Sequence, residues 1–259
     1  MERTKSLAFD RAVDYYDRTR SLSSETMARI VPLLTSEIGS GPCLEIGVGT
    51  GRIALPLSEA GTEVIGLDLS EAMMRQLVRN AGGRLPFPLM TADATCLPLA
   101  NDSLGGALAV HVLHLIPLWP LAVKELVRVV RPGGTIVVDL GRQTSGPFRE
   151  LLSEFSRAAG IAERHRGVND PAELDRILGD AGAEPKLFEP IVESRSATYG
   201  KTIAALESGT YSVTWSADEA TRRAAAVETR RWATRRFGNL ERRYDYQLEI
   251  ALRSYRLPG

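Results

Sequence analysis

Apolar and polar positions along the chain follow two periods in turn. A helical stripe of Phe9, Val13, Tyr16 and Arg20 opens it. A second stripe of Met27, Ile30, Val31, Leu34 and Ile38 predicts another helix, which Pro32 should kink or split. "GSGP" at 39–42 ends that helix. Short apolar runs then alternate with helical stripes. "CLEIG" from Cys43, "EVIGLD" from Glu63, "FPLMTAD" from Phe87, "GALAVHVL" from Gly106 and "TIVVDLG" from Thr135 predict strands. Between them lie helical patterns from about Thr50 to Ala60 (closed by Gly61), over "EAMMRQLVRN" behind a Ser70 cap, and over "PLAVKELVRVV", with "RPGG" as a turn. Strands separated by helices imply a parallel, doubly wound α/β sheet, because each parallel crossover needs a helix.

After Gly141 the pattern changes. Residues 146–182 read as two helices joined by "GVND", with Asp170 as a cap and Pro171 in the first turn of the second. "KLFEPIVESRSAT" reads as a strand in which Pro190 points to an edge or a bulge. Residues 199–237 read as helical, broken near "SGTYSVTWS". "YDYQLEIALRSYRL" alternates through Tyr246, Leu248, Ile250 and Leu252 and reads as a last strand, antiparallel to the one before.

The 259 residues, 44% hydrophobic and 25% charged, suit one large globular domain or one domain with a cap. Lys plus Arg totals 32 and Asp plus Glu totals 32, so no overall charge draws the chain to nucleic acid or an anionic membrane. The two cysteines, Cys43 and Cys96, form no metal-binding pattern and suit a reducing compartment. The acidic, non-apolar N-terminus is unlike a signal peptide, and no apolar run approaches the ~20 residues of a membrane span. The expected location is the cytoplasm.

Candidate chemistry gathers at the ends of the predicted strands. Gly47, Gly49 and Gly51 follow the first strand, where glycine lets the backbone approach a ligand and helix amides can face it. The spacing is GxGxG, not the GxGxxG of dinucleotide enzymes. Glu45 lies inside the apolar strand, where a carboxylate is costly without partners. Asp68 ends the second strand, where an acid can accept from two ribose hydroxyls, and Asp93 with Ala94 ends the third. The plainer readings are a tight turn, a strand-end acid and a loop-capping aspartate. All the features together weigh against them.

In order and spacing, "EIGVGTG", "GLDLS", "TADATCLPLANDSL", "VLHLI" and "RPGG" resemble the class I S-adenosylmethionine-dependent methyltransferases of small-molecule type. The resemblance spans about half the chain. It implies a Rossmann-like sheet of seven strands, the last antiparallel, with S-adenosylmethionine as cofactor and a small-molecule methyl acceptor as partner. Glu45 and the segment Gly47, Val48, Gly49 and Gly51 would line the methionine part. Asp68 would hold the ribose, with Leu69 and Met73 beside the adenine, Asp93 on its amino group and the Ala94 amide on a ring nitrogen. "YYDRTR" resembles relatives in which a tyrosine and an arginine reach the cofactor, here Tyr16 and Arg20; an ordinary amphipathic helix with a solvated arginine explains them as well. His111 would line the cofactor pocket. The implied layout is N-terminal helices over the cofactor site at 1–40, the cofactor-binding core at 41–145, further helices and strand six at 146–198, a helical cap insertion at 199–240 and the last strand at 241–259.

His111 and His114 are the candidates for proton transfer, since an imidazole titrates near neutral pH, but packing or pocket lining accounts for both. His165 lies in the basic stretch "ERHRG" and reads as solvated. Eight arginines fall between 222 and 243. Without an aromatic or RNA-binding motif they read as a solvated helix face, with Trp215 and Trp232 packing nearby. After strand four stands "HVLH" in place of the [DN]-P-P-[FYW] of nucleic-acid amino-methyltransferases. No Asp, Glu and His cluster has metal-ligand spacing, so no metal site is expected. The alternatives are a non-catalytic S-adenosylmethionine-binding protein, a methyltransferase acting on protein or RNA, and a nicotinamide dehydrogenase, which the glycine spacing, Glu45 and Asp93 disfavour. Acceptor and oligomeric state are not legible.

Overall fold

The computed structural model describes residues 8–140, 143–162 and 166–259. They form two compact units: residues 8–140, 166–191 and 250–259 belong to the first, and residues 143–162 and 192–249 to the second.

In the first unit, α1 (Val13–Arg20) and α2 (Ser24–Ile38) precede β1 (Cys43–Ile46). Ser23 caps α2 by accepting from the Thr26 N–H. The helix runs unbroken through Pro32, so it is not split there. Pro32 and Ala28, whose carbonyl loses its partner, both face outward, so that carbonyl can be hydrated. α3 (Ala54–Glu59) starts four residues later than the sequence pattern suggests, because residues 50–53 still belong to the turn. Then follow β2 (Val64–Asp68), α4 (Glu71–Asn80), β3 (Leu89–Thr91), β4 (Leu104–Val110), α5 (Trp119–Val129) and β5 (Val130–Asp139). "RPGG" is a bulge within β5, since the register jumps from Leu104 opposite Val130 to Gly106 opposite Thr135.

The rest of the chain is divided between the units. β6 (Gln143–Thr144) and α6 (Pro147–Ala159) lie in the second, and α7 (Pro171–Asp180) and β7 (Pro185–Leu187) in the first. Asp170 caps α7 through the Ala172 N–H, with Pro171 at its first position. β8 (Ile191–Thr198), α8 (Tyr199–Glu207), α9 (Glu219–Phe237) and β9 (Arg243–Ile250) follow, and β10 (Leu252–Arg256) closes the chain.

The main sheet has the order β3-β2-β1-β4-β5-β10-β7, with β10 antiparallel to both neighbours. β4, at its centre, is buried at every residue, as a strand covered on both faces must be. Leu44 and Ile46 point to the side of α5 and α7, whereas Cys43 points to the side of α2, α3 and α4. Glu45 shares the Cys43 face by the two-residue period.

In two places the structure departs from the predicted strands. "KLFEPIVESRSAT" is interrupted at residues 188–190, and its halves β7 and β8 belong to different sheets. The final alternating run is likewise cut at Ala251 into β9 and β10. At Ala251 the alternation of buried positions continues through Leu248, Ile250 and Leu252, so the period alone cannot reveal that change of sheet.

The second unit packs α6, α8 and α9 with the sheet β6-β9-β8 around Phe148, Leu151, Phe155, Ile203 and Leu206. It therefore takes in more than the 199–240 insertion. Among the arginines of α9, Arg222 and Arg230 are drawn inward, whereas Arg223, Arg231, Arg235 and Arg236 are exposed. Arg222 is buried and donates to the carbonyls of Glu207 and Ala217, and Arg230 pairs with Glu207 at 2.5 Å. Trp215 donates to the Gly209 carbonyl, and Trp232 meets Phe237 edge-on. Among the described residues no helix is long and apolar enough to cross a membrane.

Candidate functional site

The parallel strands β1 to β5 all end at one edge of the main sheet. The strand order reverses between β1 and β4, and a crevice outside such a switch point is where open α/β sheets bind ligands. Gly47 leaves β1 with φ 68°, and a Cβ there would stand 2.5 Å from Val112 Cγ2, beyond the end of β4. The two strand exits are thus packed together with no room for a side chain between them.

Gly49 follows with φ 56°, and a Cβ there would find only ordinary contacts, the nearest Met73 Cε at 3.5 Å. Its N–H donates to Asp68 Oδ2 at 2.8 Å, and the Ser70 N–H donates to Asp68 Oδ1 at 2.8 Å. Asp68 therefore ties the turn after β1 to the turn after β2. Burial pushes its carboxyl above the ordinary range, while the Ser70, Gly49 and Leu69 amides pull it back. The carboxylate has about four lone-pair sites, so beside the three amides it can still accept from a ligand hydroxyl. Met73 is 2% exposed and Leu69 38%, at the rim. Gly51 packs against Leu55 and Leu77, and Val48 is buried in the α2–α4 layer.

Glu45 is 3% exposed. The Ala54 N–H, the first of α3, donates to it, and its Oε2 has no hydrogen-bond partner among the described residues. Burial pushes its carboxyl up to about 8, Arg52 opposes this, and the Asp68 charge adds to it.

The N-terminal segment docks on these turns through polar contacts. Thr50 Oγ1 donates to Asp17 Oδ1 at 2.5 Å, and Asn80 Nδ2 donates to Asp17 Oδ2 at 3.0 Å. Ser70 Oγ donates to Asp10 Oδ1 at 2.5 Å, and Arg52 Nη1 donates to the Arg20 carbonyl at 3.0 Å. Tyr16 and Arg20, both half-buried on α1, are brought to this edge with Asp17; the Tyr16 ring meets Phe9 edge-on at 6.0 Å.

Beyond β3, Asp93 Oδ1 accepts from the Thr95 N–H and hydroxyl, which closes its own turn, and Ala94 is buried behind it. Beyond β4, His111 adopts φ 57°, a left-handed conformation rare outside glycine and often found at functional sites. Its N–H donates to the Asp139 carbonyl at the end of β5, and its ring lies 4.6 Å from that of buried His114. His165 lies outside the described residues. Sequence reasoning missed Asp10, Asp17, Thr50, Arg52 and Asn80. Asp17 stands inside the quoted "YYDRTR", and its partners lie 33 and 63 positions away.

Fold and site together define a doubly wound α/β protein with a glycine turn and two buried or half-buried acids at its switch point. A family model described as "Methyltransferase domain" matches residues 44–138. The demethylmenaquinone methyltransferase of Renibacterium salmoninarum is 31% identical over 169 residues, 63% of this chain and 70% of that protein. The malonyl-[acyl-carrier protein] O-methyltransferase of Legionella pneumophila is 28% identical over 192 residues, 73% of this chain and 65% of that protein. The chain spans about half, 49%, of the length of three further curated relatives, uncharacterized mycobacterial proteins. Haemonchus contortus phosphoethanolamine N-methyltransferase 2, solved with phosphomonomethylethanolamine and S-adenosylhomocysteine, shares the fold, with a TM-score of 0.57 and 14% identity over 96% of this chain and 58% of that one. The chain belongs to the class I S-adenosylmethionine-dependent methyltransferases. It is an enzyme of methyl transfer, and S-adenosylmethionine is its cofactor.

Proposed function

We propose that the enzyme transfers the methyl group by in-line displacement to an O, N or C atom of a small-molecule acceptor, in the cytoplasm. The observation that carries the cofactor geometry is Asp68, held by the Gly49 and Ser70 amides beside a glycine turn in which a Cβ at Gly49 would meet only ordinary contacts. In this reading Asp68 accepts from the ribose hydroxyls, with Leu69 and Met73 beside the adenine. Asp93 and the Ala94 amide take the adenine edge. Glu45 and residues 47–51 hold the methionine part, His111 lines the pocket, and Tyr16 and Arg20 reach it from α1 under the cover of residues 1–40. The unsatisfied Oε2 of Glu45 suits a cationic ligand group, so the residues present fit the cofactor.

When bound, the cofactor supplies a methyl group on an already electrophilic sulfonium. The chain's task is then to align the acceptor and exclude water. The small-molecule reading is supported by the relative named for demethylmenaquinone. The cytoplasmic reading is supported by two free cysteines, buried Cys43 and exposed Cys96.

Thermal unfolding with S-adenosylmethionine, S-adenosylhomocysteine or NAD tests the site. At 100 times Kd the first two should stabilise by ~2.7 kcal/mol, which raises the midpoint by roughly 5–10 °C. Asp68→Ala should lose most of that shift; a full shift in the variant would overturn the ribose assignment. Incubation of the enzyme and methyl-labelled donor with fractionated cell extract tests the acceptor. Label is expected in the small-molecule fraction, and label confined to protein or RNA would refute the proposal.

A further inference from the structure

We propose that Glu45 carries a proton in the cofactor-free protein and gives it up when the donor binds, so that S-adenosylmethionine enters with release of one proton to solvent. The inference rests on the assignment of the cofactor's methionine part to this edge. Glu45 stands in the second strand position from the end of β1, on the face covered by α2, α3 and α4. It is almost wholly buried, one donor reaches it from the start of α3, and Oε2 has no partner among the described residues. An ionised carboxylate so placed needs a counter-charge, whereas a protonated one does not.

The charged and titratable groups around it fall short of that counter-charge. From its own strand comes the Cys43 thiol, itself pushed up by burial and by the Glu45 charge. From the turn before α3 comes Arg52, which favours the carboxylate but commits Nη1 to the Arg20 carbonyl of α1. From β2 comes Asp68, a like charge, and Asp10 of the N-terminal segment in turn raises Asp68. The β4 neighbour opposite Glu45 is Leu108. The net result is a carboxyl pushed up to about 8, protonated at neutral pH.

S-adenosylmethionine brings an ammonium and a sulfonium. Either cation beside Oε2 reverses the balance that keeps the proton on. The Glu45 O–H bond breaks, its electron pair stays on the carboxylate, the proton goes to buffer, and the donor's ammonium keeps its own hydrogens. No other reactant is needed.

Titration calorimetry of the full chain in two buffers of different ionisation enthalpy reads the proton directly. At pH 7, S-adenosylmethionine should release about 0.9 proton per site, the protonated fraction of an acid with pKa about 8. Its affinity should rise roughly tenfold per pH unit below that pKa. 5′-Methylthioadenosine keeps the nucleoside and the sulfur but lacks both cations, and should bind without release. Glu45→Gln should bind S-adenosylmethionine with no release and a flat pH profile below 7. Equal release with both ligands, or none with either, overturns the proposal from the wild-type protein alone, even where the variant does not fold. In that case binding of S-adenosylmethionine leaves the site assignment standing; failure of S-adenosylmethionine to bind overturns both.

Discussion

Gly47 and Gly49 stand two residues apart in one turn, both with positive φ, yet alanine should harm them in different ways. A left-handed conformation costs an L-residue about 1–2 kcal/mol, and this applies to both. At Gly47 the added methyl would also stand 2.5 Å from Val112 Cγ2 and 2.9 Å from its Cβ, which no rotamer change at Val112 can fully relieve. Overpacking of this kind adds about 1–3 kcal/mol. Gly47→Ala should therefore lose about 2–5 kcal/mol, or roughly 5–15 °C in Tm. At Gly49 the nearest atom is Met73 Cε at 3.5 Å, so only the backbone cost should appear in stability. Its methyl instead enters space assigned to the cofactor, and Gly49→Ala should weaken S-adenosylmethionine binding by about tenfold or more, the equivalent of 1.4 kcal/mol.

Urea unfolding and ligand titration of the single variants, with Val112→Ala and Gly47→Ala/Val112→Ala, complete the test. Trimming Val112 removes the nearer clashing atom, Cγ2, and leaves Cβ at 2.9 Å, so Gly47→Ala should cost about 1–2 kcal/mol less in that background. A coupling below about 0.5 kcal/mol would show that the 47–112 contact does not control the turn. Unchanged affinity in Gly49→Ala would refute the placing of the cofactor over that turn.

Three further outcomes are expected. Glu45 has a folded pKa of about 8, above its unfolded 4.5, so the folded cofactor-free protein keeps a proton that the unfolded chain sheds. Its stability should fall as pH rises from about 4.5 to about 8, at up to about 1.4 kcal/mol per pH unit, and Glu45→Gln should flatten this fall in urea unfolding at pH 5.5, 7 and 8. Asp68 is raised too, so some slope should persist in the variant. α1 contains no buried residue and depends on Asp17 for two of its side-chain contacts. Asp17→Ala should speed limited proteolysis within residues 8–20 while changing global stability by about 1–2 kcal/mol. Tyr255 donates to Asp175 at 2.6 Å, and Arg253 holds the same carboxylate through two contacts of 2.8 and 2.9 Å. Tyr255→Phe should cost about 1 kcal/mol by chemical denaturation, and Asp175→Ala about 2, because it leaves buried Tyr255 and half-buried Arg253 without their acceptor.

What could be read from the sequence was local or periodic. Ser70 and Asp170 cap helices because a short side chain reaches an amide two or three residues on, and that relation is written in consecutive letters. Asp68 could be placed because the end of a strand is visible in its pattern. The Asp17–Thr50, Asp10–Ser70 and Arg52–Arg20 contacts join residues 32 to 60 positions apart. Nothing in either partner's surroundings distinguishes such a side chain from a solvated one. α9 was legible as a helix but not as to its inward face, because Arg222, Ala225, Ala226, Thr229 and Ala233 are buried while Val227 is exposed. Small residues and a buried arginine give little polarity contrast to read.

Glu45 and Asp68 meet the same difficulty, a carboxyl withdrawn from water, in two ways. Asp68 is surrounded by the amides of Gly49, Leu69 and Ser70, which oppose the effect of burial and fix its orientation before any ligand arrives. Such a group is oriented to accept hydroxyls. Glu45 has one amide, a partly committed Arg52 and a like charge nearby, so burial meets less opposition there. Its ionised form becomes stable only when a cation completes the site. The neutral sugar and the charged amino acid of one cofactor thus call for opposite preparations of neighbouring acids, and the backbone donors around each acid decide which it receives. Adding a donor near Glu45 should accordingly make S-adenosylmethionine binding less dependent on pH, and removing one from Asp68 should make it more so.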